Sequence, residues 1–97
     1  MQLMTINEAR LVCRIDGPEN DDLIIPMAES AEAYVMDATK RTAESKDPRL
    51  KEAARLRLRL SFRPNDDEKG FMKLHLVELI KQLSYGGDYD AGENATD

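Results

Sequence analysis

The chain has no tryptophan, a single cysteine, Cys13, and a single histidine, His75. Each scarcity closes off a class of function. One cysteine forbids an intrachain disulfide, and this pair of residues cannot supply zinc-finger ligand spacing. A Cys–His nucleophilic pair is formally open. Cys13, however, lies among Ala9, Val12 and Ile15, where a small buried hydrophobe is the simpler reading. His75 sits in an apolar run and reads as a packed or interface residue. Phe62, Phe71, Tyr34, Tyr85 and Tyr89 are the whole aromatic complement, too few for a platform that stacks single-stranded bases. No apolar run approaches membrane-spanning length, and the N-terminus shows no basic-then-apolar signal segment. An intracellular, reducing compartment fits these absences. No phosphate loop or catalytic constellation stands out, so no catalytic residue, cofactor or metal is expected.

What is present suits one small domain. There are 97 residues, 41% hydrophobic and 34% charged, the balance of a soluble globular or oligomeric protein. A chain this short buries a modest fraction of its surface, which favours self-association.

Thr5-Ile6-Asn7-Glu8 has capping-box spacing, and Ile6, Ala9 and Cys13 then share a face. A short helix is expected over 6–14, ending before the turn signal Asp16-Gly17-Pro18. The next helix opens on Asp21 and Asp22, carboxylates suited to the positive end of its dipole. Leu23, Met27, Ala31, Tyr34 and Ala38 recur at helical spacing, widened by Ile24, Ala28 and Val35. That predicts a helix over 22–40, with Pro26 either in the first turn of a helix starting near Ile25 or kinking a longer one. Asp47-Pro48 is a cap and first-turn pair that opens a third helix over 48–62. Pro64-Asn65-Asp66-Asp67 reads as the loop that follows. A fourth helix over 70–83 places Met72, Leu76, Leu79 and Leu83 on one face, while Leu74, Val77 and Ile80 point elsewhere. A helix apolar on most sides needs more than one packing partner. The expected fold is therefore all-α, a bundle of about four helices in a single domain over 1–83, with a flexible acidic tail over 84–97.

The stretch RLRLRLSFR, residues 55 to 63, alternates charged and apolar side chains as a strand would. Three facts favour a helix. The segment opens with a helix start signal and is rich in strong helix formers. It contains no β-branched residue from Asp47 to Pro64, where strands are enriched in them. No other segment reads as a partner strand. On a helical wheel Arg55, Arg59 and Arg63 lie opposite the apolar arc and Arg57 falls inside it. Arg57 is then either a surface arginine at a slightly misjudged angle or one at a subunit seam, paired with a neighbour's carboxylate.

Charge is segregated. Lys40, Arg41, Lys46, Arg49, Lys51, Arg55, Arg57, Arg59 and Arg63 face only Glu44, Asp47 and Glu52 in the central segment, and both flanks are acidic. Such a belt can meet DNA phosphates, meet the acidic part of an identical neighbour, or be an ordinary solvated face.

The stretch TINEARLVCRIDGPENDDLIIPMAESAEAYVMDATKRT resembles the start of the small head–tail connector (adaptor) proteins of long-tailed double-stranded DNA phages and prophages. The matching features are Arg14-Ile15-Asp16, then Asp21-Asp22-Leu23-Ile24, then the alanine-rich helix Ala28 to Val35 with Tyr34, and Ala38-Thr39-Lys40-Arg41. That family often has Gly where this chain has Lys40. Later segments match in order, down to the ending Gln82-Leu83-Ser84-Tyr85. The resemblance implies a non-enzymatic, all-helical subunit of a homo-oligomeric ring. It would sit at the virion's head–tail junction, after assembly in the bacterial host cytoplasm. Its neighbours would be the portal protein and a tail-completion or stopper protein, with transient contact to packaged double-stranded DNA and none to membrane. If so, a dense arginine lining would retard the genome. The expected subunit or portal interface therefore takes Arg55, Arg57, Arg59 and Arg63 against Asp21, Asp22, Glu29 or Glu32 of a neighbour, together with Leu74, Val77 and Ile80. The main alternative is a small DNA-binding regulator using the basic helix 49–63, against which the acidic total and the missing helix-turn-helix spacing weigh. A small helical enzyme using Glu29, Glu32 or His75 is a further alternative, but nothing groups those residues.

Overall fold

The computed structural model describes residues 1–62 and 65–86, and among them every regular element is helical. Helix α1 spans Ile6–Cys13, α2 Asp21–Thr39, α3 Pro48–Ser61 and α4 Asp66–Lys81, with a 3₁₀ turn at Pro18–Asn20 and a wider π-type turn at Gln82–Gly86. The stretch expected as a flexible tail thus begins with residues 84–86 in a helical turn, and positions 87–97 lie outside the described residues.

The caps explain the starts. Thr5 accepts from the Glu8 backbone at 3.1 Å, and Glu8 returns the bond to the Thr5 backbone at 2.8 Å. Asp47 caps α3 by accepting from Arg49 N at 3.0 Å, with Pro48 in the first turn. Asn65 caps α4 by accepting from Glu68 N at 2.7 Å. The acidic run read as a loop is therefore the first turn of α4, where Asp66, Asp67 and Glu68 meet the positive dipole end. Pro26 lies inside α2, so the longer helix forms and passes through it. Both Pro26 and Asp22, whose carbonyl the proline cannot serve, are exposed to solvent.

Helices α1 and α2 end on left-handed residues, Arg14 at φ 60° and Lys40 at φ 59°. A side chain in that region is strained, and glycine is the usual occupant. Lys40→Gly is expected to stabilise the chain by about 0.5–1 kcal/mol, read as a raised urea midpoint with an unchanged slope.

Helix α3 is the centre of the bundle and packs against α1, α2 and α4. Leu50, Ala53, Ala54 and Leu58 are fully buried, while Leu56 and Leu60 lie partly buried at the core edge. The alternating segment is thus helical, and the interior is one cluster built from all four helices plus Leu3, Met4 and Leu83. Cys13 is buried as a small hydrophobe, and that burial pushes its thiol pKa up.

The face of α2 differs from expectation. Ile24, Ala28, Ala31, Glu32, Val35 and Thr39 are buried, whereas Leu23 and Tyr34 are 53% and 46% exposed. The core face lies one residue further along the helix than the largest apolar side chains suggest. Two polar residues make this possible. Thr39 donates to the Val35 carbonyl at 2.7 Å, and Glu32 is engaged by the N-terminal segment.

Candidate functional site

The arginines of α3 are committed within their own chain. Arg55 reaches Glu8 of α1 at 2.7 Å, and Arg59 reaches Glu68 of α4 at 3.0 Å while also donating to the Phe62 carbonyl at 2.8 Å. Arg57 lies over the Tyr34 ring, 4.2 Å from its centroid. An exposed aromatic on α2 thus receives the charge that the helical wheel leaves in the apolar arc, by a cation–π contact. Arg63 lies outside the described residues.

The acidic candidates are also largely engaged. Asp21 forms a two-pronged pair with Arg10, at 2.9 Å to Nε and 2.5 Å to Nη2, and that pairing lowers the Asp21 pKa. The N-terminal ammonium of Met1 lies 3.3 Å from Glu29, itself 56% exposed. Asp22 is exposed at the start of α2. Glu32 is buried, and its carboxylate accepts from Gln2 N at 2.8 Å, Leu3 N at 2.7 Å and Met4 N at 2.9 Å. It cannot meet a neighbour's arginine without unpinning the N-terminal segment. Arg55 and Arg59 thus each have a carboxylate partner within the subunit, Glu8 and Glu68. Salt bridges this close to the surface contribute about 0–1 kcal/mol each, so they fix helix orientation more than they add stability.

Asp47 is the buried exception, 2% exposed. Arg49 grips it through Nε at 3.0 Å and Nη2 at 2.6 Å, and Arg41 stands 4.0 Å away. Arg41 also donates to the Leu83 carbonyl through Nη2 at 3.0 Å, linking the α2–α3 loop to the end of the bundle. The Arg49 side-chain bonds, with the Arg49 backbone bond and the nearby Arg41 charge, hold the Asp47 pKa below the usual aspartate value despite its burial. A depressed folded pKa means the unfolded chain binds the proton more readily. The resulting stabilisation is complete at neutral pH and fades as pH falls below about 4. Asp47→Asn is expected to be the less stable form at pH 7, with the gap to wild type narrowing on acidification, as urea titrations across pH would read.

Beside the isolated exposed Leu11 of α1 and the exposed Leu23, Ile25 and Tyr34 of α2, a row of exposed apolar side chains lies on α4. Phe71 is 79% exposed, Leu74 68% and Val77 49%, a row opposite the buried Leu76, Leu79 and Leu83. Two members, Leu74 and Val77, were expected outside the core. Ile80 was expected with them but packs against the core edge. Phe71 was overlooked, although its spacing of three and six residues from Leu74 and Val77 is the signal that joins it to them. His75, on the same helix, is half exposed rather than packed and lies 2.5 Å from Glu52 of α3. Gly70 precedes the row, and a side chain there would meet nothing within 4 Å.

Chemically, this face can exclude water against another protein surface. Among the described residues no group of three or more His, Cys, Asp or Glu side chains could hold a metal ion, and no helix is long and apolar enough to cross a membrane. No protein-family model, curated protein or solved structure matches the chain.

Proposed function

We propose that the chain is a structural subunit of a head–tail connector in a tailed phage or prophage. In this reading, copies form a ring between the portal and a tail-completion protein and continue the channel for double-stranded DNA. The protein acts by assembly and not by catalysis. It is made in the cytoplasm of the bacterial host and ends in the virion.

The observation that carries this reading is the unpartnered row of Phe71, Leu74 and Val77 on α4. A small helical domain with a closed interior and a separate apolar face is built to be covered by another chain. The resemblance of residues 5–42 to connector proteins supplies the identity of the assembly. The arginine ties refine the reading, because subunit contacts then pass through the apolar face of α4 rather than through the basic belt.

The alternative, a DNA-binding regulator that reads DNA with α3, is weaker. A recognition helix must offer an accessible face to the groove. Here α3 is the central helix, and Arg55 and Arg59 pair with carboxylates of the same chain.

Electron micrographs of the chain mixed with a portal oligomer from the genome that encodes it test the proposal. A ring of density at the tail-facing end of the portal is expected for the wild type and not for the Phe71→Ser, Leu74→Ser, Val77→Ser triple variant. A chain that ignores the portal and shifts short random duplex DNA in a salt-dependent way would contradict the proposal and favour the regulator.

A further inference from the structure

The exposed face of α4 is self-complementary when run antiparallel against a copy of itself. Gly70, Leu74, Val77 and Lys81 recur at spacings of four, three and four, the rhythm of a helix-pairing seam. All four are exposed. A two-fold axis through Leu74 pairs each position with one equally far on the other side of residue 74. Leu74 then meets Leu74, and Phe71 meets Val77. Asp67, at the acidic start of the helix, meets Lys81 at its end. Gly70 meets Glu78 and leaves room for that longer side chain. Asp67, Glu78 and Lys81 are exposed as well. The two helix dipoles oppose each other in the favourable sense.

We propose that the free subunit forms a two-fold antiparallel dimer through α4, centred on Leu74. The occupant of the apolar face is thus a second copy of this chain, selected by its own charge pattern. The inference stands apart from the connector reading. A ring grows by head-to-tail contacts, whereas a two-fold contact closes on itself after two copies. The dimer would therefore describe the chain before it meets other components, with its apolar row covered. The seam from Asp67 to Lys81 spans about 21 Å of helix. That is short for a stable interface, so the dimer dissociates on dilution.

The test is residue-specific crosslinking together with mass measurement of the full chain alone. Wild type is expected to shift from monomer to dimer as concentration rises in sedimentation velocity. Leu74→Cys, lying on the axis, is expected to form a disulfide-linked dimer under mild oxidation. Phe71→Cys and Val77→Cys are expected to link with each other but poorly with themselves, and the buried Cys13 provides the unlinked wild-type background. Asp67→Lys should weaken the dimer several-fold, and adding Lys81→Asp should recover it. A monomer at every concentration overturns the inference, as do rings formed without portal or equal self-linking at positions 71, 74 and 77. Rings without portal would leave the connector reading standing, so the two proposals fail separately.

Discussion

Replacing Glu32 by alanine is expected to lower the unfolding free energy by about 3 kcal/mol. The side chain is 2% exposed and accepts from the backbones of Gln2, Leu3 and Met4. Charge-assisted bonds of this kind contribute about 1.5–3 kcal/mol each, but their sum is not the cost of the substitution. Without the carboxylate, the segment before α1 can peel away and hydrate its amides. The loss is then bounded by the docking of Leu3 and Met4, which are 2% and 5% exposed and contribute about 1.5–3 kcal/mol each when fully buried. For a domain with roughly 5–15 kcal/mol in total, this is a large fraction. Glu32→Gln keeps the volume but sets an amide N–H₂ group against backbone donors, so it should recover only part of the loss. Urea unfolding gives the magnitude. Amide exchange gives the location, with Leu3 and Met4 losing protection while Leu50 and Leu58 keep theirs. An unchanged unfolding midpoint for Glu32→Ala would show that the carboxylate does not hold this segment.

Leu58→Ala is expected to cost about 3 kcal/mol, within the usual range for a leucine truncated in a packed core. Leu58 is fully buried on the central helix. Leu56 and Leu60 only flank the core, so their alanine variants should cost about 1 kcal/mol each, in proportion to the smaller area they bury. The contrast within the series is the useful result. In a strand, Leu56, Leu58 and Leu60 would share one face and respond alike. On a helix, steps of two residues turn through about 200°, which sets Leu58 apart from Leu56 and Leu60. Equal losses across the three would contradict the helical core.

The starts of α1 and α3 were readable from Thr5, Glu8, Asp47 and Pro48 because capping is local chemistry within a few residues. The helical state of residues 55 to 61 was readable because composition and the missing partner strand outweighed alternation. The face of α2 was misjudged because periodicity weights large apolar side chains, and Leu23 and Tyr34 are large but lie outside the core. Tyr34 is explained by its role as the seat of Arg57. Glu32 could have been suspected, since it falls between Ala28 and Val35 on an otherwise apolar face. Its partners could not, because they are backbone amides some thirty residues away in a segment with no helical signal. The ties from Arg55 to Glu8 and from Arg59 to Glu68 depend on how helices sit side by side, which charge counting does not reveal. On α4, Leu74 and Val77 stood out because the apolar set was too wide for a single face. Ile80 was misplaced with them because it lies at the boundary of that face.

Hydroxyl-radical footprinting of side chains tests the central claim most directly, because it reads whether the outer face of α4 is the surface that assembly covers. The chain would be probed alone at high dilution and again in complex with the portal. Phe71, Leu74 and Val77 are predicted to be reactive in the dilute chain and protected in the complex, while Leu50 and Leu58 stay unreactive in both. Continued reactivity of Phe71, Leu74 and Val77 in a complex that has formed would contradict the account.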